Sequence, residues 1–118
     1  MLTTDILIAG CGIVGVSIAK ELRSRYPDLN IVLLEKEHAV ACYASGRNSG
    51  VLHAGFYYSH ERLKARFTVE GNRLLTDYSL KHNLTINRCG KIVVAKDEKE
   101  LEGIFELKRR GARNGVEL

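Results

Sequence analysis

The sequence has few of the residues that build disulfide or metal frameworks. Three cysteines, Cys11, Cys42 and Cys89, occur among 118 residues, and none belongs to a CxxC pair. An odd count leaves at least one thiol unpaired in any intramolecular disulfide scheme. This favours a reducing compartment, and we expect the cytoplasm. The histidines share no metal-ligand spacing and have no cysteine pair as partner. We therefore predict no metal site.

Long hydrophobic runs are also missing. The apolar stretch over residues 6–19 is interrupted by three glycines and is shorter than the roughly 18 residues that span a bilayer. Asp5 stands where a secretory signal would carry basic residues. The stretch predicts a strand and a helix rather than an export signal or a membrane span. Peripheral contact with a membrane or a quinone is left open.

The charge pattern offers no nucleic-acid surface. Lysine and arginine number 18 against 14 acidic residues, a formal net charge of +4, and many basic residues lie among acidic ones. The one basic cluster, Lys108–Arg113, lacks the interleaved aromatics of single-stranded nucleic-acid sites. We predict no nucleic-acid partner. A hydrophobic share of 45% and a charged share of 27% are ordinary for one globular domain or part of one.

Two short apolar runs flank a helical pattern near the amino terminus. Ile6–Ala9 and Ile31–Leu34 are continuously apolar, as in strands of a parallel sheet buried on both faces. Between them, apolar residues recur at spacings of three and four from Ile13 to about Tyr26, where Pro27 ends the helix. This order predicts a right-handed parallel βαβ unit of an α/β, Rossmann-like fold.

An irregular segment and two further elements follow. Residues 36–58 are rich in small side chains and lack periodicity, which is typical of functional segments in compact domains. We expect a helix from about His60 to His82, because apolar residues recur there at helical spacing, with Ser59 as its N-cap. The apolar run Ile92–Ala95 predicts a third strand.

A last helix is expected near the carboxyl end. Asp97 and Glu100 resemble a capping box that opens it, and Gly111 is a candidate for its end. Asn114–Gly115 predicts a turn, and Val116–Leu118 resembles the start of another element.

A glycine-rich turn joins the first strand to the first helix. The sequence GCGIVG places Gly10, Gly12 and Gly15 at the spacing that serves a tight turn, close approach of a pyrophosphate, and close packing of helix on strand. Amides at the start of this helix, at Ile13 and Val14, lack partners within the helix and share the positive end of its dipole. A diphosphate would be stabilised there without a cationic side chain.

An acidic residue follows the second predicted strand. Glu35 lies twenty residues after Gly15, where a carboxylate can accept hydrogen bonds from both ribose hydroxyls of an adenosine. Its charge disfavours the 2′-phosphate of NADP. The alternative interpretation is a solvated carboxylate at a strand end. The glycine turn and Glu35 together predict a dinucleotide site and leave NAD and FAD equally favoured.

The segment ASGRNSGVLHAGFYY, residues 44–58, breaks this tie. Together with GCGIVG, the strand end LLEKE and the later RCGKIVVA, it resembles the amino-terminal part of a known family, the FAD-dependent L-2-hydroxyglutarate oxidases and dehydrogenases. That family lies within the superfamily of D-amino-acid oxidase and glycerol-3-phosphate dehydrogenase. SGRNSG followed by HAG is specific to this group, whereas GCGIVG matches many nucleotide-binding folds. The resemblance covers nearly the whole chain and implies that the cofactor is FAD.

The resemblance also implies a second set of cofactor contacts. Residues 45–50 would lie against the pyrophosphate and ribityl chain, where small residues let the backbone approach and Arg47 compensates phosphate charge. His53 would come near the isoalloxazine ring, either in a catalytic role or as a packed structural residue. The implied contacts beyond the glycine turn and Glu35 are Lys36, Ser45, Gly46, Arg47, Asn48, Ser49 and Gly50.

The activity implied by the resemblance is an oxidoreductase reaction. L-2-hydroxyglutarate, a small 2-hydroxy acid, is oxidised to 2-oxoglutarate with hydride transfer to the flavin. Family members are several times longer, so we expect the incomplete amino-terminal portion of a larger two-domain flavoenzyme.

Residues 1–118 would then form a partial FAD-binding domain. Its parts would be the βαβ unit and flavin-contact segment over 1–58, and a helix, strand and helix over 59–118. The missing carboxyl-terminal part becomes an expected partner, and we expect the isolated chain to bind FAD weakly without turnover. The alternatives are a catalytically inactive nucleotide-binding remnant, or an amino-acid oxidase or glycerol-3-phosphate dehydrogenase of the same superfamily.

Overall fold

A computed structural model of the chain describes residues 3–118. The chain divides into two compact units, the first ending at Val51 and the second beginning at Leu52. In residues 3–118, no helix is both long enough and apolar enough to cross a membrane. The helices and strands are, in order, β1 (Ile6–Ala9), α1 (Ile13–Arg25), β2 (Ile31–Leu34), α2 (Leu63–Lys81) and α3 (Glu98–Arg113).

The first unit contains the predicted βαβ arrangement. β1 and β2 form a parallel pair, in register from Ile6 opposite Ile31 to Ala9 opposite Leu34. α1 connects the two strands, packs on both, and has Ala19 buried. The helix ends at Arg25, two residues before Pro27, whose ring nitrogen has no hydrogen to donate to a helical carbonyl. The prediction of an α/β fold with a parallel sheet is confirmed.

The strands are less buried than predicted. Leu7 and Leu34 leave 58% and 59% of their surface exposed, so the expectation of burial on both faces is wrong. A parallel sheet is buried on both faces where helices cover both. Within the first unit, α1 is the helix that packs on this sheet. Part of the apolar strand surface therefore remains uncovered.

α2, in the second unit, begins later than predicted. Arg62 is its N-cap and Leu63 its first residue. Ser59 is wrong as the cap, because its carbonyl oxygen accepts a 3.0 Å hydrogen bond from the Arg62 amide in a turn that precedes the helix. The carboxyl end is close to the prediction. The helix stops at Lys81, and Asn83 adopts a φ of 55°, the left-handed conformation that commonly follows a helix end.

α3 begins with the predicted cap. The Asp97 side chain accepts hydrogen bonds of 3.0 and 3.2 Å from the amides of Lys99 and Glu100. Glu100 reaches back in turn, but its carboxylate accepts from the Lys96 amide at 2.8 Å rather than from Asp97. Asp97 thus satisfies two of the amides that a helix start leaves without internal partners, and the predicted N-cap is confirmed.

Gly111 does not end α3, contrary to the prediction. It is buried within the helix, where a Cβ would collide with the Leu118 side chain and lie 3.2 Å from the Phe56 Cβ. The neighbouring side chains leave little space for a Cβ there, and the position is within the helix rather than at a turn. The helix ends beyond it, through Gly115, whose φ of 71° turns the chain back onto the last helical carbonyls. The predicted turn at Asn114–Gly115 is therefore confirmed.

The predicted third strand is not formed. Ile92–Ala95 has no regular secondary structure, and Ile92 and Val94 leave 88% and 75% of their surface exposed. A strand needs a neighbour that pairs with its backbone amides and carbonyls. Within residues 3–118, the sheet consists of β1 and β2 alone. Val116–Leu118 has no regular secondary structure, and the start of a further element there stays a prediction.

Candidate functional site

The site is built on the turn between β1 and α1. Gly10 has a φ of 98°, which side chains rarely adopt, and its amide donates a 2.7 Å hydrogen bond to the Leu34 carbonyl. A Cβ on Gly15 would overlap the carbonyl oxygen of Gly10, so α1 can start this close to the turn only with glycine at that position. The first and third motif glycines therefore serve the tight turn and the close helix packing that their spacing predicts.

The start of α1 lies open at this turn. Gly12 is its N-cap, and the first turn contains no acidic residue. The Ile13 amide donates a 2.9 Å hydrogen bond to Ser45 Oγ, and a Cβ on Gly12 would lie 3.2 Å from the same oxygen. Val14 is 69% exposed. Ser45 Oγ thus accepts from one amide of the first turn. The other amides of that turn have no acceptor within the helix and can bind an anion.

Ser45 bonds to the first amide of α1, beside amides that can meet an anion. Because its oxygen accepts from the Ile13 amide, its hydroxyl proton can be donated to a second acceptor, such as a phosphate oxygen. We expect Ser45→Ala to lower the free energy of unfolding of the first unit by about 1 kcal/mol, the usual value of a cap. FAD affinity should fall in the same variant.

Chemical denaturation and FAD titration measure these two effects. Ser24→Ala, an exposed serine within α1, is the matched control and should leave FAD affinity unchanged. Equal FAD affinities of the Ser45→Ala and Ser24→Ala variants would contradict a phosphate contact at Ser45.

Glu35 contacts the same turn from the end of β2. Its Oε2 accepts a 2.7 Å hydrogen bond from the amide of Cys11, a buried residue of the turn. Its Oε1 accepts from the amides of Lys36 and Glu37 at 2.9 and 3.2 Å. A carboxylate has about four acceptor positions, so these three bonds leave room for a ribose hydroxyl. The bond to Cys11 is not foreseen from the sequence.

These amides keep the Glu35 carboxylate ionised. The hydrogen bond from the Cys11 amide lowers the pKa of Glu35 most, and those from Glu37 and Lys36 lower it further. Hydrogen bonds to the charged form of an acid stabilise that form. Glu35 therefore accepts hydrogen bonds at neutral pH, and its charge repels a 2′-phosphate.

The SGRNSG segment is shaped by its own hydrogen bonds. The Asn48 side-chain amide donates to the Ser45 carbonyl at 2.8 Å, and its Oδ1 accepts from the Gly50 amide at 2.8 Å. A Cβ on Gly46 would collide with the carbonyl oxygen of Ala41. Asn48 and Gly46 therefore hold the loop in the form that brings Ser45 to α1.

The two predicted cationic contacts meet at one aromatic ring. Lys36 Nζ lies 4.8 Å from the centroid of the Tyr43 ring, and Arg47 Cζ lies 5.6 Å from it. The Tyr43 hydroxyl donates a 2.5 Å hydrogen bond to Glu37 Oε1. No role for Tyr43 is predicted from the sequence. The available signal is one aromatic residue among the small side chains of residues 41–46.

The remaining predicted site residues, Ser49 and His53, are both exposed. Ser49 lies in the first unit with the rest of the site, and His53 lies in the second. The Asn72 side chain donates a 3.1 Å hydrogen bond to the His53 carbonyl. The catalytic role of His53 stays a prediction.

Two asparagine side chains, for which the sequence predicts no tertiary role, hold the HAGFYY segment. Asn72 bonds to the His53 carbonyl, and the Asn114 side chain donates to the carbonyls of Gly55 and Tyr58 at 2.9 and 2.8 Å. Asparagine is a poor helix former, so an asparagine such as Asn72 within a helix signals a tertiary role. These bonds fix the backbone that carries His53.

The residues of the first unit fit the ADP part of a dinucleotide. The glycine turn leaves space that a Cβ at Gly12 would narrow, amides at the start of α1 suit linked phosphates, and Glu35 has an acceptor position for a ribose. In the described part of the chain, no three His, Cys, Asp or Glu side chains are grouped to hold a metal ion.

Comparison with known proteins gives the family. Residues 5–118 match the family model described as DAO, FAD dependent oxidoreductase. The L-2-hydroxyglutarate dehydrogenase of Escherichia coli (strain K12) is 45% identical over 113 residues, which are 96% of this chain and 27% of that protein. The mitochondrial L-2-hydroxyglutarate dehydrogenase of Homo sapiens is 43% identical over 112 residues, 95% of this chain and 24% of that protein. The chain thus spans about a quarter of the length of these relatives.

The match confirms the resemblance drawn from SGRNSG and HAG and the expectation of FAD as the cofactor. It covers both compact units, including the irregular segment between β2 and α2. In the structure, Glu35 and Ser45 both bond to the glycine turn, through the amides of Cys11 and Ile13. The chain belongs to the family of FAD-dependent oxidoreductases.

Proposed function

We propose that the first unit binds the ADP half of FAD, and that the protein oxidises L-2-hydroxyglutarate to 2-oxoglutarate. The cofactor site is supported by one observation: at a single glycine turn, the structure brings together Glu35, Ser45 and the start of α1. Identities of 45% and 43% to dehydrogenases named for L-2-hydroxyglutarate support the second part of the proposal. The proposed substrate class is a small 2-hydroxy acid.

Each proposed binding residue has a distinct task. The Val14 amide receives the linked phosphates, and the Ile13 amide acts through Ser45, which accepts from it and donates its hydroxyl proton to a phosphate oxygen. Glu35 accepts from the ribose and holds the turn through Cys11. FAD, when bound, supplies the acceptor for the hydride that leaves the hydroxyl-bearing carbon of the substrate.

The other predicted cofactor contacts are assigned to parts of the cofactor rather than to single atoms. Gly46, Asn48, Ser49 and Gly50 present backbone and neutral polar groups to the ribityl chain, while Lys36 and Arg47 offset phosphate charge. His53 is proposed to lie near the reacting ring, either to shape its electrostatics or to meet the substrate. Groups that bind the two substrate carboxylates are proposed to come from a carboxyl-terminal part.

Titration of the purified 118-residue chain with FAD, followed by the flavin absorbance and fluorescence, tests the cofactor site. We expect FAD to bind weakly and ADP to displace it, because the turn is proposed to hold the ADP half. NADP should displace FAD poorly, because Glu35 repels its 2′-phosphate. FAD binding that ADP does not affect would contradict the proposed site.

The substrate is tested on the protein translated from the whole reading frame, including any codons that follow the Leu118 codon. Anaerobic addition of L-2-hydroxyglutarate should bleach its flavin, and sarcosine or glycerol 3-phosphate should not. Bleaching by one of those two instead would favour the amino-acid oxidase or glycerol-3-phosphate dehydrogenase alternative. Bleaching by the isolated 118-residue chain would contradict the proposal that it lacks the substrate groups.

The compartment and further partners stay predictions. We propose the cytoplasm, because the odd number of cysteines favours a reducing compartment. Some relatives are mitochondrial by name, including the human protein. Peripheral contact with a membrane or a quinone is proposed only as one route by which the reduced cofactor passes its electrons onward.

A further inference from the structure

Tyr43 connects the two segments that contact the glycine turn. Lys36, whose ammonium lies 4.8 Å from the Tyr43 ring centroid, directly follows Glu35. Arg47, whose Cζ lies 5.6 Å from it, follows Ser45 by two residues. A cation within about 6 Å of an aromatic centroid is attracted to the ring. One ring therefore gathers a cation from the end of β2 and a cation from the SGRNSG segment.

Carboxylates contact both the turn and the Tyr43 ring. Glu35 bonds to the turn itself, and Glu37 accepts from the Tyr43 hydroxyl at 2.5 Å. Lys36 Nζ lies 3.7 Å from a Glu37 oxygen. Glu35 at the turn and Glu37 at the ring are negative, and Lys36 and Arg47 supply positive charge to the same two segments. Long cationic side chains that nothing restrains sample many rotamers, so a fixed ring localises their charge.

We propose that Tyr43 is a positioning residue of the cofactor site, which holds Lys36 and Arg47 so that their charge favours the diphosphate of an ADP-containing ligand. This inference rests on the proposed function of the first unit. Tyr43 acts through the two cations and through Glu37, and it makes no contact with the reacting atoms. The aromatic ring matters for this role more than the hydroxyl does, because the ring attracts both cations.

The test compares ADP with adenosine, since only ADP carries the diphosphate. Both are titrated into the 118-residue chain and followed by ¹H–¹⁵N NMR, which also reports whether each variant is folded. Tyr43→Leu removes the ring and should weaken ADP binding by about five- to thirtyfold, the effect of losing two exposed cation–ring contacts. Adenosine affinity should change by less than about twofold, as for an ordinary surface substitution. Tyr43→Phe keeps the ring and should restore most of the preference for ADP.

A second variant covers the case in which Tyr43→Leu is unfolded. Lys36→Gln combined with Arg47→Gln keeps the ring and removes both charges, so it should also lose the preference for ADP over adenosine. Unchanged ADP affinity of Tyr43→Leu would overturn the inference alone. An unchanged preference in the double variant would overturn it together with the phosphate contacts proposed for Lys36 and Arg47. Equal weakening of ADP and adenosine by Tyr43→Leu would overturn it as well. A wild-type chain that binds neither FAD nor ADP would overturn the proposed function and the inference with it.

Discussion

Gly15→Ala is expected to abolish detectable binding of FAD and ADP and to lower the free energy of unfolding of the first unit by about 3 kcal/mol, the upper range for overpacking. The added Cβ would overlap the carbonyl oxygen of Gly10, a backbone atom that cannot rotate away. α1 would have to shift from β1, and the amides that receive the diphosphate would shift with it. FAD titration and chemical denaturation measure the two effects.

Gly71→Ala is the matched control for this substitution. Gly71 also lies within a helix, α2, but a Cβ there would meet nothing within 4 Å. Alanine in an open helix position is favoured over glycine by about 0.5 to 1 kcal/mol, so the control should gain stability in the second unit. It should leave FAD affinity unchanged. If Gly15→Ala bound FAD as tightly as this control, the turn would not be the diphosphate site.

The βαβ unit could be predicted because its signals are local. A run of four apolar residues ending at glycine specifies β1, and a proline stops the helix that follows. The α3 cap is local in the same way, since Asp97 bonds to amides two and three residues ahead. Patterns of this range depend little on what packs around them.

The failed predictions concern features that depend on distant residues. Ile92–Ala95 has the composition of a strand, but pairing requires another strand, and no described segment pairs with it. Burial of β1 and β2 on both faces requires two covering layers, and α1 supplies one. Gly111 resembles a helix end in the sequence, but in the structure it lies within α3, where the Leu118 and Phe56 side chains leave little space for a Cβ.

The candidate site shows the same division. The turn glycines and Glu35 could be identified because chemistry fixes their spacing along the chain. The bond from the Ile13 amide to Ser45 Oγ joins residues 32 positions apart, and no periodicity encodes it. The family resemblance marks Ser45 as a cofactor contact, but only the fold shows that it caps α1. Tyr43 is found only through the cations around its ring.

Glu35→Gln is expected to weaken ADP and FAD binding by about tenfold or more, because hydrogen bonds to a charged acceptor are lost. The glutamate uses both oxygens, one toward Cys11 and the other toward Lys36 and Glu37. A glutamine has one oxygen, so its NH₂ group would face an amide N–H on one of the two sides. The substitution therefore loosens the turn as well as the contact with the ribose.

The same variant should change how stability depends on pH. The pKa of Glu35 is lowered in the folded chain from an ordinary value of 4.5. The ionised carboxylate therefore stabilises the fold above that ordinary value, and this contribution is lost as the pH falls through the lowered pKa. Denaturation midpoints of wild type and Glu35→Gln should differ at neutral pH and converge in acid. A difference that stayed constant through the acid range would contradict the proposed bonds.

Glu106→Gln separates the effect on the turn from a general effect of removing an ionised carboxylate. Hydrogen bonds from the Arg110 and Arg109 side chains lower the pKa of Glu106, so its loss should also flatten the acid dependence of stability. Glu106 lies in α3 of the second unit, however, and its partners are side chains rather than the glycine turn. ADP affinity should therefore be unchanged. A loss of ADP affinity equal to that of Glu35→Gln would mean that nucleotide binding follows overall stability and not the carboxylate at the end of β2.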